Sequence, residues 1–222
     1  MSKTSPLRNS FWVMDLQEIR DAKKNNSSSY SSLIRTKTKE HQNNPDFLVS
    51  LIEVAGTQTF FWQLPECILS SSEYMKLAVL ADSKSLQFIP ETKLTEDILL
   101  QVIEGNKLEN LFIIPHVITK LTFSLCHLAL KKKPELCLMT FFKTEPKISL
   151  AREERQILYA QLTMTFKSLG QKLPPYLDKY ESISSKFTPD SLDKMVDILQ
   201  FKNKIQLNLP EKNIKDQQRV KI

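Results

Sequence analysis

Leu64-Pro65-Glu66, Ile89-Pro90-Glu91 and Ile114-Pro115-His116 are three versions of one phrase, and 25 residues separate each proline from the next. Four residues before each proline stands Phe61, Leu86 or Leu111. One further step of the same length reaches Leu136, with Thr140 in the place of a fourth proline. Self-similarity at a fixed period of this size marks stacked supersecondary units, none of which buries its apolar face alone. The stretch from about Pro45 to Phe142 is therefore read as a short helical repeat array, solenoid-like and all-α.

Each unit carries its own start and stop signals. Asn44-Pro45-Asp46 opens the first: Asn44 suits the cap, Pro45 the first turn and Asp46 the positive end of the helix dipole. Phe47, Leu48, Leu51, Ile52, Val54 and Ala55 follow at helical spacing, and Gly56 stops the helix. Phe60-Phe61-Trp62 and Leu64 make a second short segment that ends at Pro65. In the second unit Ser71 or Ser72 caps. Tyr74, Leu77, Ala78 and Ala81 are read as the apolar face, flanked by Met75, Val79 and Leu80, and Asp82-Ser83 turns the chain. In the third, Thr95 caps, Ile98, Leu99, Val102 and Ile103 pack, and Gly105-Asn106 stops the helix. The fourth unit is irregular: Thr119 or Thr122 caps, Phe123, Leu125, Cys126, Leu128 and Ala129 pack, and Leu136, Leu138 and Met139 follow Pro134. An irregular last unit is what the capping end of an array looks like.

The flanks differ from the array, which is assigned to residues 45–145. Residues 1–44 are read as a flexible segment holding a short helix, capped by Ser10 and running to about Lys24, with Phe11, Met14, Ile19 and Leu16 able to share a face. Phe11-Trp12 is expected to dock on the repeats. Residues 25–32, rich in Asn and Ser, are read as a linker or a mobile loop, and a helix-like, charged stretch then continues to Gln42. Residues 146–205 are read as a helical C-terminal part. It holds a long helix capped by Ser149 and ending near Gly170, then a second opened by Thr188-Pro189-Asp190. The first packs through Ile157, Leu158, Leu162, Met164, Phe166 and Leu169. The second packs through Leu192, Met195, Val196, Ile198, Leu199 and Phe201. Residues 206–222 are read as a polar tail, although Ile205, Leu207 and Leu209 alternate as in a strand.

Charge argues against some partners. The chain carries a net +6, but residues 45–145 hold 9 basic against 12 acidic residues. A nucleic-acid surface needs a basic stripe on the folded element, so nucleic acid is not expected as a partner. Only three glycines occur, too few for phosphate-cradling loops. The three cysteines, Cys67, Cys126 and Cys137, sit in apolar settings and point to thiols in a reducing compartment. No apolar run is long enough to span a bilayer. Met1-Ser2-Lys3-Thr4-Ser5-Pro6 lacks the apolar core of a signal peptide, so export would use a route without an N-terminal mark.

Several residue sets were weighed as chemical sites. Cys126 and His127 are helix neighbours, so their side chains diverge by about 100° and do not face each other. Cys137 and His116 belong to successive units, where stacking allows a contact between them but does not require it. Glu73, Glu91, Glu96, Asp97 and Glu104 offer carboxylates, but most sit where a helix dipole favours them, and no histidine cluster accompanies them. No catalytic, cofactor-binding or metal-ligating residue is assigned, and no cofactor is expected.

The unit resembles the short helical repeats of unknown function found in many copies in giant-virus proteins and in secreted effectors of intracellular, Legionella-like bacteria. Glu73–Glu91 and Asp97–His116 follow that unit in order and length: an acidic start, a Leu/Ala/Val helix, a turn, a short apolar segment and a polar helix start. The resemblance implies a protein–protein interaction module delivered into a host cell, with no catalytic residue. Lys212–Ile222 would then be the segment read by a secretion machine. Two alternatives stand beside it. One is an enzyme, a cysteine-dependent hydrolase or transferase whose site is scattered along the chain. The other is an F-box-like ubiquitin-ligase adaptor, since Leu64-Pro65-Glu66-Cys67-Ile68-Leu69 resembles an F-box opening, though the tryptophan and arginine of its ending are missing.

Overall fold

The computed structural model describes residues 12–57, 64–134, 147–170, 172, 175 and 184–208. Among them the regular structure is helical, with no strand. The chain divides into two compact units, Met1–Ser149 and Leu150–Ile222. The expected roles of Ser10, Phe11, Phe60-Phe61-Trp62, Leu136, Leu138, Met139, Cys137 and the tail from 211 fall outside the described residues.

The first unit contains α1 (Val13–Lys24), α2 (Tyr30–Glu40), α3 (Pro45–Ala55), α4 (Glu66–Leu69), α5 (Ser72–Ala81), α6 (Glu96–Glu104), α7 (Pro115–Ile118) and α8 (Phe123–Lys132). Two 3₁₀ segments, Ser83–Phe88 and Leu108–Asn110, follow α5 and α6.

The four main helices α3, α5, α6 and α8 start at Asn44, Ser71, Thr95 and Thr122. Asn44, Ser71 and Thr122 accept a hydrogen bond from the backbone N–H three residues on, at 3.1, 3.5 and 3.4 Å. This satisfies a donor that the first turn leaves without a carbonyl partner. Thr95 holds the cap position in extended backbone without such a bond.

Counting from each cap, the third, fourth, seventh and eighth residues face inward. They are Phe47, Leu48, Leu51 and Ile52 in α3, and Ile98, Leu99, Val102 and Ile103 in α6. In α8 they are Leu125, Cys126, Ala129 and Leu130. All twelve are buried. In α5 the same places hold Tyr74, Met75, Ala78 and Val79, of which only Tyr74 is half-exposed. This corrects the expected face of α5. Leu77 points outward, 37% exposed, and Met75 and Val79 take the core. The helix is apolar on nearly every side, so its neighbours decide its rotation.

The prolines punctuate this pattern. Leu64, Ile89 and Ile114, each just before a proline, are buried, as are Leu86 and Leu111. Ile89 (φ −82°, ψ 121°) and Ile114 (φ −80°, ψ 119°) share one extended conformation. The proline ring imposes it by excluding the helical region from the preceding residue.

Turns stop the helices where the sequence indicates. Gly56 has φ +88°, a value that favours glycine because it has no Cβ to clash. Beyond α6, Asn106 takes φ +60°. Lys107 N–H then reaches the Val102 carbonyl and Asn106 N–H the Ile103 carbonyl, a Schellman closure. The same closure ends α1, with Asn26 at φ +48°, Ser27 bonding Ala22 and Asn26 bonding Lys23.

Residues 1–44 hold two helices, the short one expected up to about Lys24 and a second in the charged, helix-like stretch that continues to Gln42. α2 begins at Tyr30, inside the stretch read as a linker, and Ser27 and Ser29 share a side-chain hydrogen bond ahead of it. On α1, Trp12, Leu16 and Ile19 are buried, whereas Met14 is 81% exposed, against expectation. The Trp12 ring meets Phe47 of α3 edge-on at 5.9 Å, so this aromatic packs on α3.

The second unit contains α9 (Arg152–Ser168) and α10 (Pro189–Asn208), which pack together. The cap of α9 is Ala151, not Ser149, and Glu154 reaches back to accept the Ala151 N–H at 2.7 Å. The side-chain half of a capping box thus suffices to place the start. At α10, Thr188 and Ser191 exchange hydrogen bonds, Thr188 N–H to Ser191 Oγ and Ser191 N–H to Thr188 Oγ1. Ile157, Leu158, Leu162 and Phe166 of α9 and Leu192, Val196 and Leu199 of α10 are buried. Leu169, Met195, Ile198 and Phe201 are exposed instead, which corrects their assignment to the core. Ile205 and Leu207 lie in α10, so the strand-like alternation there is helix.

Candidate functional site

The side chains that join one element to the next bridge chain separations near the proline spacing. Thr57 N–H donates to Asp82 Oδ2 at 2.8 Å, and the Thr57 and Ser85 hydroxyls share a bond of 2.8 Å. Asn110 Nδ2 donates to Ser83 Oγ at 2.8 Å, and His116 Nε2 lies 3.1 Å from the Leu86 carbonyl. Tyr74 OH donates to Asp46 at 3.2 Å and Thr122 Oγ1 to Glu96 at 3.4 Å, both between helix N-termini. Lys133 Nζ donates to the Asn106 carbonyl at 3.0 Å, between C-terminal ends. Like ends meet like ends, so α3, α5, α6 and α8 lie side by side and parallel.

The Asp82 carboxylate accepts from the backbone N–H groups of both Thr57 and Lys84. Burial alone would raise its carboxyl, but the backbone N–H groups of Thr57 and Lys84 outweigh that and hold it below the ordinary aspartate range. A carboxylate that accepts amide donors is stabilised in its charged form. Asp82 therefore ends α5, starts the following 3₁₀ segment and ties both to the preceding unit.

Glu73, Glu91, Asp97 and Glu104 are spread along the chain and bridged by cations or polar groups. Lys76 lies 3.4 Å from Glu73 and 3.7 Å from Asp97. Lys120 lies 3.7 Å from Glu91, which also accepts from Thr119. Glu104 accepts from Gln101. Glu66, in the F-box-like phrase, meets Lys93 at 3.2 Å. These groups are largely solvated, so each pair contributes little to stability.

Cys67 and His116 are each engaged by a backbone carbonyl. Cys126 occupies the core place held by Leu48, Met75 and Leu99 in the other helices. His127, its neighbour, is buried and stacks along Phe123 at 6.4 Å. His116 is engaged by the Leu86 carbonyl. Burial pushes the Cys67 thiol above its ordinary range, and its Sγ donates to the Gln42 carbonyl at 3.2 Å. A raised thiol is a poorer source of the thiolate that nucleophilic chemistry uses.

One polar cluster was not foreseen in the sequence. Asp15 of α1 meets Lys37 of α2 at 2.9 Å and His41 at 2.8 Å. Lys37 also reaches Glu40 at 2.9 Å. The hydrogen bonds from Asp15 and Glu40 outweigh burial and raise the Lys37 ammonium. For Asp15, burial raises the carboxyl, but its bonds to Lys37 and His41 prevail and lower it. Asp15, Glu40 and His41 place one potential metal-ligand atom each within 4.8 Å of one another, but the Lys37 ammonium already supplies the positive charge between the two carboxylates. The His41 ring lies 4.1 Å from that of Phe47. The cluster thus fastens α1, α2 and α3 together. No local motif signals it, because Asp15 and His41 stand 26 residues apart.

Two hollows are formed by other residues. One of about 390 Å³ is lined by Arg20, Lys23, Lys24, Glu53 and Val54, with Lys23 Nζ donating to the Val54 carbonyl at 2.7 Å. These cations gather where α1 and α3 end and answer the negative ends of their dipoles. The other, about 160 Å³, is a largely apolar cleft of the second unit. Neither is lined by His116 or Cys126. No described helix is long and apolar enough to cross a membrane. In comparisons of the chain with protein-family models, curated proteins and solved structures, nothing matches it.

Proposed function

We propose that residues 45–145 form a helical repeat array that binds another protein through the outward faces of its helices, without catalytic residues of its own. The observation that carries this reading is the set of cross-links between residues 25 to 30 apart, several of them at matching ends of parallel helices. Stacked units of this kind present a long surface read by side chains, and their stability is a sum of units and interfaces. The F-box-like phrase is, in this reading, the Leu-Pro-Glu member of the repeated phrase, with Leu64 in the place of Ile89 and Ile114. Delivery into a host cell is a further part of the proposal and rests on the resemblance of Glu73–Glu91 and Asp97–His116 alone.

The test changes the outward face and leaves the core intact. Leu77, Gln101 and Leu128 stand six residues after their caps and are at least partly exposed. Leu77→Arg, Gln101→Arg and Leu128→Arg are compared with the parent chain in affinity capture from host-cell lysate, read by mass spectrometry. The reading expects a saturable partner that at least one folded variant loses. Identical capture by all three variants, each melting as the parent does, would contradict binding through this face.

A further inference from the structure

We draw no further inference here: the strongest candidate, the apolar cleft between α9 and α10 lined by Ile157, Phe187, Met195, Ile198 and Leu199 with Glu153 at its edge, carries nothing because no feature of the structure shows what covers it.

Discussion

Thr57 donates its backbone N–H to the carboxylate of Asp82 at 2.8 Å, across 25 residues of chain. Thr57 is fully buried, so removing the acceptor leaves an amide without a partner inside the protein. Asp82→Ala is expected to cost about 1–3 kcal/mol for that group, measured by urea unfolding. The pH dependence follows from the direction of the shift. A carboxyl held below its ordinary value of 3.8 contributes stability that is fully present above that value. The contribution is lost as pH falls through the lower, folded value. The stability difference between the parent and Asp82→Ala should therefore shrink below about pH 4. A difference that grows on acidification contradicts the assignment.

Leu86 and Leu111 stand 25 residues apart and are both fully buried. Leu86→Ala and Leu111→Ala are each expected to cost about 2–5 kcal/mol, and the proposed 25-residue register expects similar values. An effect near zero at either site places that leucine outside the core.

Trp12 and Met14 separate docking from mere proximity on one short helix. Trp12 is buried against Phe47, and Met14 is exposed. Trp12→Ala should cost about 3–5 kcal/mol, and Met14→Ala should stay within about 0.5 kcal/mol of zero. Equal effects in thermal and urea unfolding would mean that α1 does not pack as described.

Replacing Cys67, Cys126 and Cys137 together by Ala tests the packing role of the thiols. The partner captured by the parent should still be captured, with a stability loss that maps to the core place of Cys126. Loss of capture by a variant that melts cooperatively would return the cysteines to the functional account.

What was legible in the sequence was local. Asn44 announced its cap, Ser71 and Thr122 were each one of two caps the sequence offers, and Gly56 and Asn106 announced their stops. Each depends on a few neighbouring residues. The rotation of α5 was not legible, because Tyr74, Met75, Leu77, Ala78, Val79 and Leu80 offer apolar groups on almost every side. Only packing against α3 and α6 chooses among them. The surplus on α10 is similar: Met195, Ile198 and Phe201 look like core beside Leu192, Val196 and Leu199, yet α9 covers one face. The Asp15–Lys37–His41 cluster escaped because its members meet through tertiary contact. At α9, Ser149 has the favoured cap chemistry, but Glu154 sets the start by reaching the Ala151 amide.

The most direct test of the repeat reading is to remove one unit in register. Deleting residues 66–90, one full 25-residue period, joins Pro65 to Glu91 and keeps the next proline in its place. A second deletion, shorter by four residues, breaks the register. Thermal unfolding of both is followed by circular dichroism at the helical band. The account predicts that the in-register deletion stays helical and melts cooperatively, at a lower temperature than the parent, while the out-of-register deletion does not. Two deletions that unfold alike would contradict it.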